Sequence, residues 1–223
     1  MISKKVEDFR KKFRQEHLSP RYSGPLHLSL LIIMSLLIIV CALAMLDNVS
    51  AWELLTIPAT FLYANLVEYI GHKGPMHKKT RLLAMIYQRH TVEHHQFFTE
   101  QATTCESTHD YKAILFSPLM LIFFFGLFAV PVGLLLYFLV SPNVAFLFVA
   151  SAMAYYLNYD LLHLCYHLSE DSWVGRLPFM GVLRNHHTVH HNQKLMNKYN
   201  FNITYPIFDH LFGTVFEEKK HES

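Results

Sequence analysis

Histidine is the residue type that carries chemistry here. The sequence holds 16 of them, and the densest stretch is Arg184-Asn185-His186-His187-Thr188-Val189-His190-His191-Asn192. Neutral imidazole is the commonest metal ligand among side chains. On a helix His187 and His191 lie four apart with His190 between them, so three nitrogens can point to one side as half of a metal site.

The other half lies upstream. His72 and His77 are five apart, His90 precedes the pair His94-His95, and His163 and His167 are four apart. With His187, His190 and His191 these form four groups, whose ten nitrogens are too many for one ion. Two metals with about five histidines each is the simple count. A lone histidine near a helix end usually caps or hydrogen-bonds, so the joint pattern carries the reading.

Two carboxylates stand where they can orient rings. Asp160 lies one turn before His163, deep in an apolar run where an acid is costly unless paired. Accepting a hydrogen bond from the far nitrogen of a ligating histidine meets that need. Glu68, four residues before His72, suits the same part, or a plain interfacial pairing with Lys73 or Arg89. Five residues on an ideal helix set His72 and His77 about 140° apart, and a break at Gly74-Pro75 lets His77 swing round.

The elements that must position these groups are hydrophobic. Apolar residues make up 52% of the 223 and the mean hydropathy is +0.20, a membrane composition for a chain of single-domain length. Four spans are expected at about 26–46, 51–70, 113–140 and 144–165. Asp47-Asn48-Val49-Ser50 and Ser141-Pro142-Asn143 are turns, and Pro58 is a kink. At 28 residues, 113–140 is about 42 Å long as a helix, against roughly 30 Å of hydrocarbon, so it must bend, tilt or protrude. The histidine groups can share a site only if they emerge on one face, which makes the number of crossings between His95 and His163 even.

The fold expected is all-α, with about four transmembrane helices and a histidine-rich cap. A basic segment, 1–25, precedes one membrane domain, 26–223. Lys73, Lys78, Lys79, Arg81 and Arg89, with the basic N-terminal segment, place the clusters and both termini on the cytoplasmic side, of a bacterial inner membrane or endoplasmic reticulum. Val6, Phe9, Phe13 and Leu18 recur at helical spacing, which suggests an amphipathic helix on anionic lipid, with a frayed basic tail as the alternative.

Several classes are excluded. A net charge of +2 without a basic aromatic stripe argues against nucleic acid. Cys41, Cys105 and Cys165 form no spaced pair and read as free thiols. The first apolar run starts after some 25 polar residues and is long enough to span, unlike a signal peptide.

With these residues in place, the chain resembles the fatty acid hydroxylase and sterol desaturase superfamily of integral-membrane di-metal enzymes. The likeness runs from about Glu68 to Phe216, through all four histidine groups in order, to the closing Asn-Ile-Thr-Tyr-Pro-Ile-Phe-Asp-His-Leu-Phe-Gly-Thr at 202–214. It implies a non-haem centre of two iron ions that uses O2 and two electrons to hydroxylate an unactivated C–H bond of a lipid, or to desaturate it. The implied ligands are His72, His77, His90, His94, His95, His163, His167, His187, His190 and His191. His90 is separated from His94 by three residues where many relatives have two. His186 offers a competing register to His187, which is preferred, and His109 is read as structural.

Imidazole alone does not select iron, and zinc can occupy such a site on purification; zinc is redox-inert, however. No haem, flavin or cluster motif is present, so electrons must come from a separate reductase, ferredoxin or b-type cytochrome. The basic residues can dock such a carrier or simply set topology. Fatty acyl, sphingolipid, sterol and carotenoid substrates all suit the pattern, and Phe123, Phe124, Phe125, Tyr155, Tyr156 and Tyr159 either shape a pocket or pack. A non-catalytic metal carrier is the alternative of another class, disfavoured because transporters hold ions near the bilayer midplane. Oligomeric state is not legible.

Overall fold

The computed structural model describes residues 2–218. Among them the regular elements are all helical, apart from one isolated bridge between Thr99 and Ala102. Four helical stretches are long and apolar enough to cross a membrane: Gly24–Ala44, Glu53–Met76, Thr108–Leu139 and Pro142–Tyr166.

Their ends follow from local chemistry. Ser23 caps the first helix, its hydroxyl accepting from the Leu26 N–H at 3.3 Å, and Pro25 fills a first-turn position where no N–H is needed. Pro58 likewise sits in the first turn of Thr56–Gly71 rather than at a mid-helix kink, because a proline there costs no hydrogen bond. The second stretch then continues past the expected residue 70 into a wide turn, His72–Met76, broken at Gly74 (φ −102, ψ −109).

The overlong third stretch divides. Thr108–Ala113 is a 3₁₀ turn, and Ser117 caps a new helix that starts at Pro118. From 118 to 139 the chain is helical, with a π turn at Phe125–Ala129. That length is about 33 Å, close to the hydrocarbon thickness, so the excess leaves the span at its start.

The chain forms two compact units. One, Leu18–Ala64 with Ser107–Leu164, holds the apolar helices. Gly24 is required there, since a Cβ would lie 1.9 Å from the Thr108 carbonyl. His27 Nε2 donates to the Phe116 carbonyl at 3.0 Å. The two turns are tied together, Asp47 N–H donating to Asn143 and the Glu53 carboxylate accepting from Ser141, Ser50 and Asn143. The aromatic residues pack on one another: Phe116 stacks on Tyr159 at 5.6 Å and meets Phe124 at 5.3 Å. Leu37, Val40 and Phe138 point outward at 62%, 60% and 77% exposure, an apolar surface suited to lipid.

The other unit comprises residues up to His17, Asn65–Glu106 and the chain from Cys165 onward. Its N-terminal helix, Lys4–His17, buries Phe13 and Arg10 within the unit. Of the apolar ridge, Phe13 is used for packing, against Phe97 at 5.2 Å, while Val6, Phe9 and Leu18 stay partly exposed.

Candidate metal centre

His94 and His95 stand at a second wide turn, Gln88–His94, which is π-helical. The i→i+5 pattern of such a turn aligns residues five apart, and His90 and His95 accordingly meet, Nε2 to Nε2, at 3.1 Å. His77, carried round by the break at Gly74, lies 3.2 Å from His90 and 3.1 Å from His190 through the same atoms. His77, His90, His95 and His190 thus form one buried group, each offering a nitrogen within 4.8 Å of the others. The His72 ring lies beside it, 4.8 Å from the His90 ring and 5.3 Å from that of His190.

The second group gathers His94, His167, His187 and His191 on the same criterion. His187 Nε2 lies 3.1 Å from His167 Nε2 and 2.9 Å from His191 Nε2. His163 stands four residues before His167, buried and on the helix that ends at Tyr166, and this spacing gives the two rings a common face. The helix Met180–His190 feeds both groups, His187 and His191 one and His190 the other. The three nitrogens that helical spacing allows on one side are thus divided between two groups. Adjacent helical residues diverge by about 100°, and that angle divides the doublets 94/95 and 190/191 between two centres.

An imidazole nitrogen carries either one N–H or one lone pair, so a nitrogen facing two others cannot hydrogen-bond well to both. A shared cation satisfies all of them. Nitrogens about 2.0–2.1 Å from an ion and at right angles to one another are about 3.0 Å apart, as found here, so the residues fit two ions.

The outer nitrogens fix the rings. His167 Nδ1 donates to the Thr103 carbonyl at 2.6 Å and His191 Nδ1 to the Phe98 carbonyl at 2.7 Å. A carbonyl only accepts, so the proton sits on Nδ1 and the Nε2 lone pair faces the centre. Burial holds His77 down to about 3 and His191 to about 4, and drives His90, His95, His167 and His190 well below the ordinary histidine value. Neutral imidazole is the form a metal needs.

The carboxylates have particular places. The Glu68 side chain accepts from the N–H groups of Ile203 and Thr204 at 2.6 and 3.0 Å and from the Thr204 hydroxyl at 2.6 Å. The Glu68 carboxylate thus serves the C-terminal loop. Asp160 is wholly buried one turn before His163. Asp209, read from sequence only as part of the closing signature, accepts from Phe201, Asn202 and Thr214 and knots the C-terminal loop. His186 faces Asp209 at 3.5 Å. The Phe98 and Thr103 carbonyls escaped the sequence reading because main-chain acceptors leave no residue-type signal.

The description "Fatty acid hydroxylase" belongs to the family model that matches residues 57–214, and the chain belongs to that family. It is also similar to a solved structure described as full-length Scs7p, with only the hydroxylase domain visible. The two are 17% identical over 87% of this chain and 67% of that one, with a TM-score of 0.62, a likeness of fold. No curated protein matches the sequence. Lipid hydroxylation, metal binding and a membrane setting are the general properties this membership supports.

Proposed function

We propose that the protein is an integral-membrane oxygenase that places one atom of O2 into an unactivated C–H bond of a lipid. The balance is one substrate, one O2, two electrons and two protons giving the alcohol and water. The observation that carries this is the convergence of two separate sets of buried imidazole nitrogens, fed by shared helices. We assign His72, His77, His90, His95 and His190 to one ion, and His94, His163, His167, His187 and His191 to the other. Asp160, one turn before His163, is the carboxylate we assign to that ring, whereas the Glu68 side chain holds the C-terminal loop. Two irons bound there supply the oxygen activation and the redox change.

The chain's own part is to hold and shield. Nδ1–H donation by His167 and His191 keeps both rings in one tautomer and one orientation. Complete burial of His190 and His191 keeps bulk water away. Five imidazoles per ion exceed the four of a closed zinc site, and zinc cannot carry redox chemistry. Electrons come from a separate donor. A groove of about 780 Å³ beside His191, its wall carrying Lys5, Lys12 and Lys194 together with Asp8 and Glu100, gives a carrier a place near the centre. The clusters and termini are on the cytoplasmic side.

Metal analysis of freshly purified, detergent-solubilised protein tests the reading, alongside a variant carrying His187→Ala, His190→Ala and His191→Ala. About two irons per chain, falling sharply in the variant, is expected. No stoichiometric metal in either folded protein sinks it.

A further inference from the structure

Arg10 lies outside every histidine group and before the residues matched by the family, yet its side chain is 2% exposed. A buried guanidinium must be paired along its whole fork. Nε donates to the Phe97 carbonyl at 2.9 Å, Nη2 to the Ala102 carbonyl at 2.6 Å, and Nη1 to Glu106 at 2.8 Å. The guanidinium also lies 5.0 and 5.4 Å from the ring centres of Phe97 and Phe98.

Each carbonyl held by Arg10 is followed in sequence by one that holds a histidine. Phe97 bonds Arg10 and Phe98 bonds His191; Ala102 bonds Arg10 and Thr103 bonds His167. The Phe98 ring also lies 4.2 Å from the His167 ring. The segment 97–103 is a two-faced brace, with arginine on one face and two imidazoles on the other.

We infer that Arg10 is a positioning residue for the histidine group of His94, His167, His187 and His191, acting through the Phe98 and Thr103 carbonyls. The inference rests on the two-metal reading. Its signature is selectivity: loosening the brace weakens one ion and leaves the group of His77, His90, His95 and His190 intact. A role confined to anchoring the N-terminal helix lowers stability and leaves both affinities alone.

The test is titration of Co²⁺ into metal-free full-length protein, followed by its visible absorption, for the unaltered chain, Arg10→Ala, Arg10→Lys and Glu106→Gln. Lysine keeps the charge and part of the donor set; the Glu106 change leaves both carbonyl contacts in place. The unaltered chain is expected to bind two ions. Arg10→Ala binds one normally and the other about 10–100-fold more weakly, the range for loss of an outer-shell partner. Arg10→Lys falls between, and Glu106→Gln stays near the unaltered chain. Two normal affinities in folded Arg10→Ala overturn the inference. If that variant does not fold, two normal affinities in Arg10→Lys overturn it instead. Absence of cobalt binding by the unaltered chain contradicts the two-metal reading itself, a separate failure.

Discussion

His94 and His95 are neighbours in the chain but belong to different histidine groups, His94 with His167, His187 and His191, and His95 with His77, His90 and His190. Their rings lie 5.4 Å apart with planes at 84°. One peptide unit therefore links the two groups, and the doublet His190-His191 does the same.

This division predicts separable losses. His94→Ala and His95→Ala should each lower iron from about two per chain towards one, with the double variant lower still. Metal analysis of the three purified variants checks it. Full retention in either single variant contradicts the assignment.

Glu68 joins the second span to the C-terminal loop through three hydrogen bonds. Glu68→Gln keeps the shape but sets an amide against main-chain donors. The loss should be about 1.5–3 kcal/mol, the range for hydrogen bonds to a charged group. Thermal unfolding in detergent measures it, and an unchanged midpoint contradicts the structural role.

The pH response of the metal-free protein has a definite sign. In the unfolded chain histidines take up protons near pH 6.5, whereas burial holds folded His77 to about 3 and His191 to about 4. Below pH 6.5 the unfolded state therefore binds more protons, and stability falls as pH drops from about 6.5 towards 4. Unfolding midpoints across pH 7.5 to 5 should decline; a flat or rising profile contradicts this.

On the proposed topology of four crossings, Asp47 and Glu170, both exposed, fall on opposite sides of the membrane. In a background lacking Cys41, Cys105 and Cys165, Asp47→Cys and Glu170→Cys should react with an impermeant thiol reagent from opposite faces, Glu170→Cys from the cytoplasmic one. Labelling of both from one face contradicts the topology.

The spans were legible because a bilayer demands long apolar runs, and their ends moved only where a cap or turn decided, as at Ser117 and Gly74. The histidine groups were legible because their residue type is rare at such density. Their membership was legible only in part: the ordinary helical angle separates neighbours such as His190 and His191, but nothing in residue type announces the wide turns at 72–76 and 88–94 that bring His77 and His90 to His95. Phe98, Thr103 and Arg10 escaped for another reason: the first two act through carbonyls that every residue has, and Arg10 sits about 90 positions from its partners, among other basic residues that look alike in sequence.

The most direct test of the central claim supplies the iron-loaded protein, in lipid bilayers of mixed acyl, sphingolipid and sterol composition, with an electron donor and ¹⁸O₂. A lipid alcohol carrying one ¹⁸O atom, absent with the His187→Ala, His190→Ala, His191→Ala variant, is the predicted result. An alcohol whose oxygen comes from water, or no oxidised lipid from protein holding two irons and receiving electrons, would contradict it.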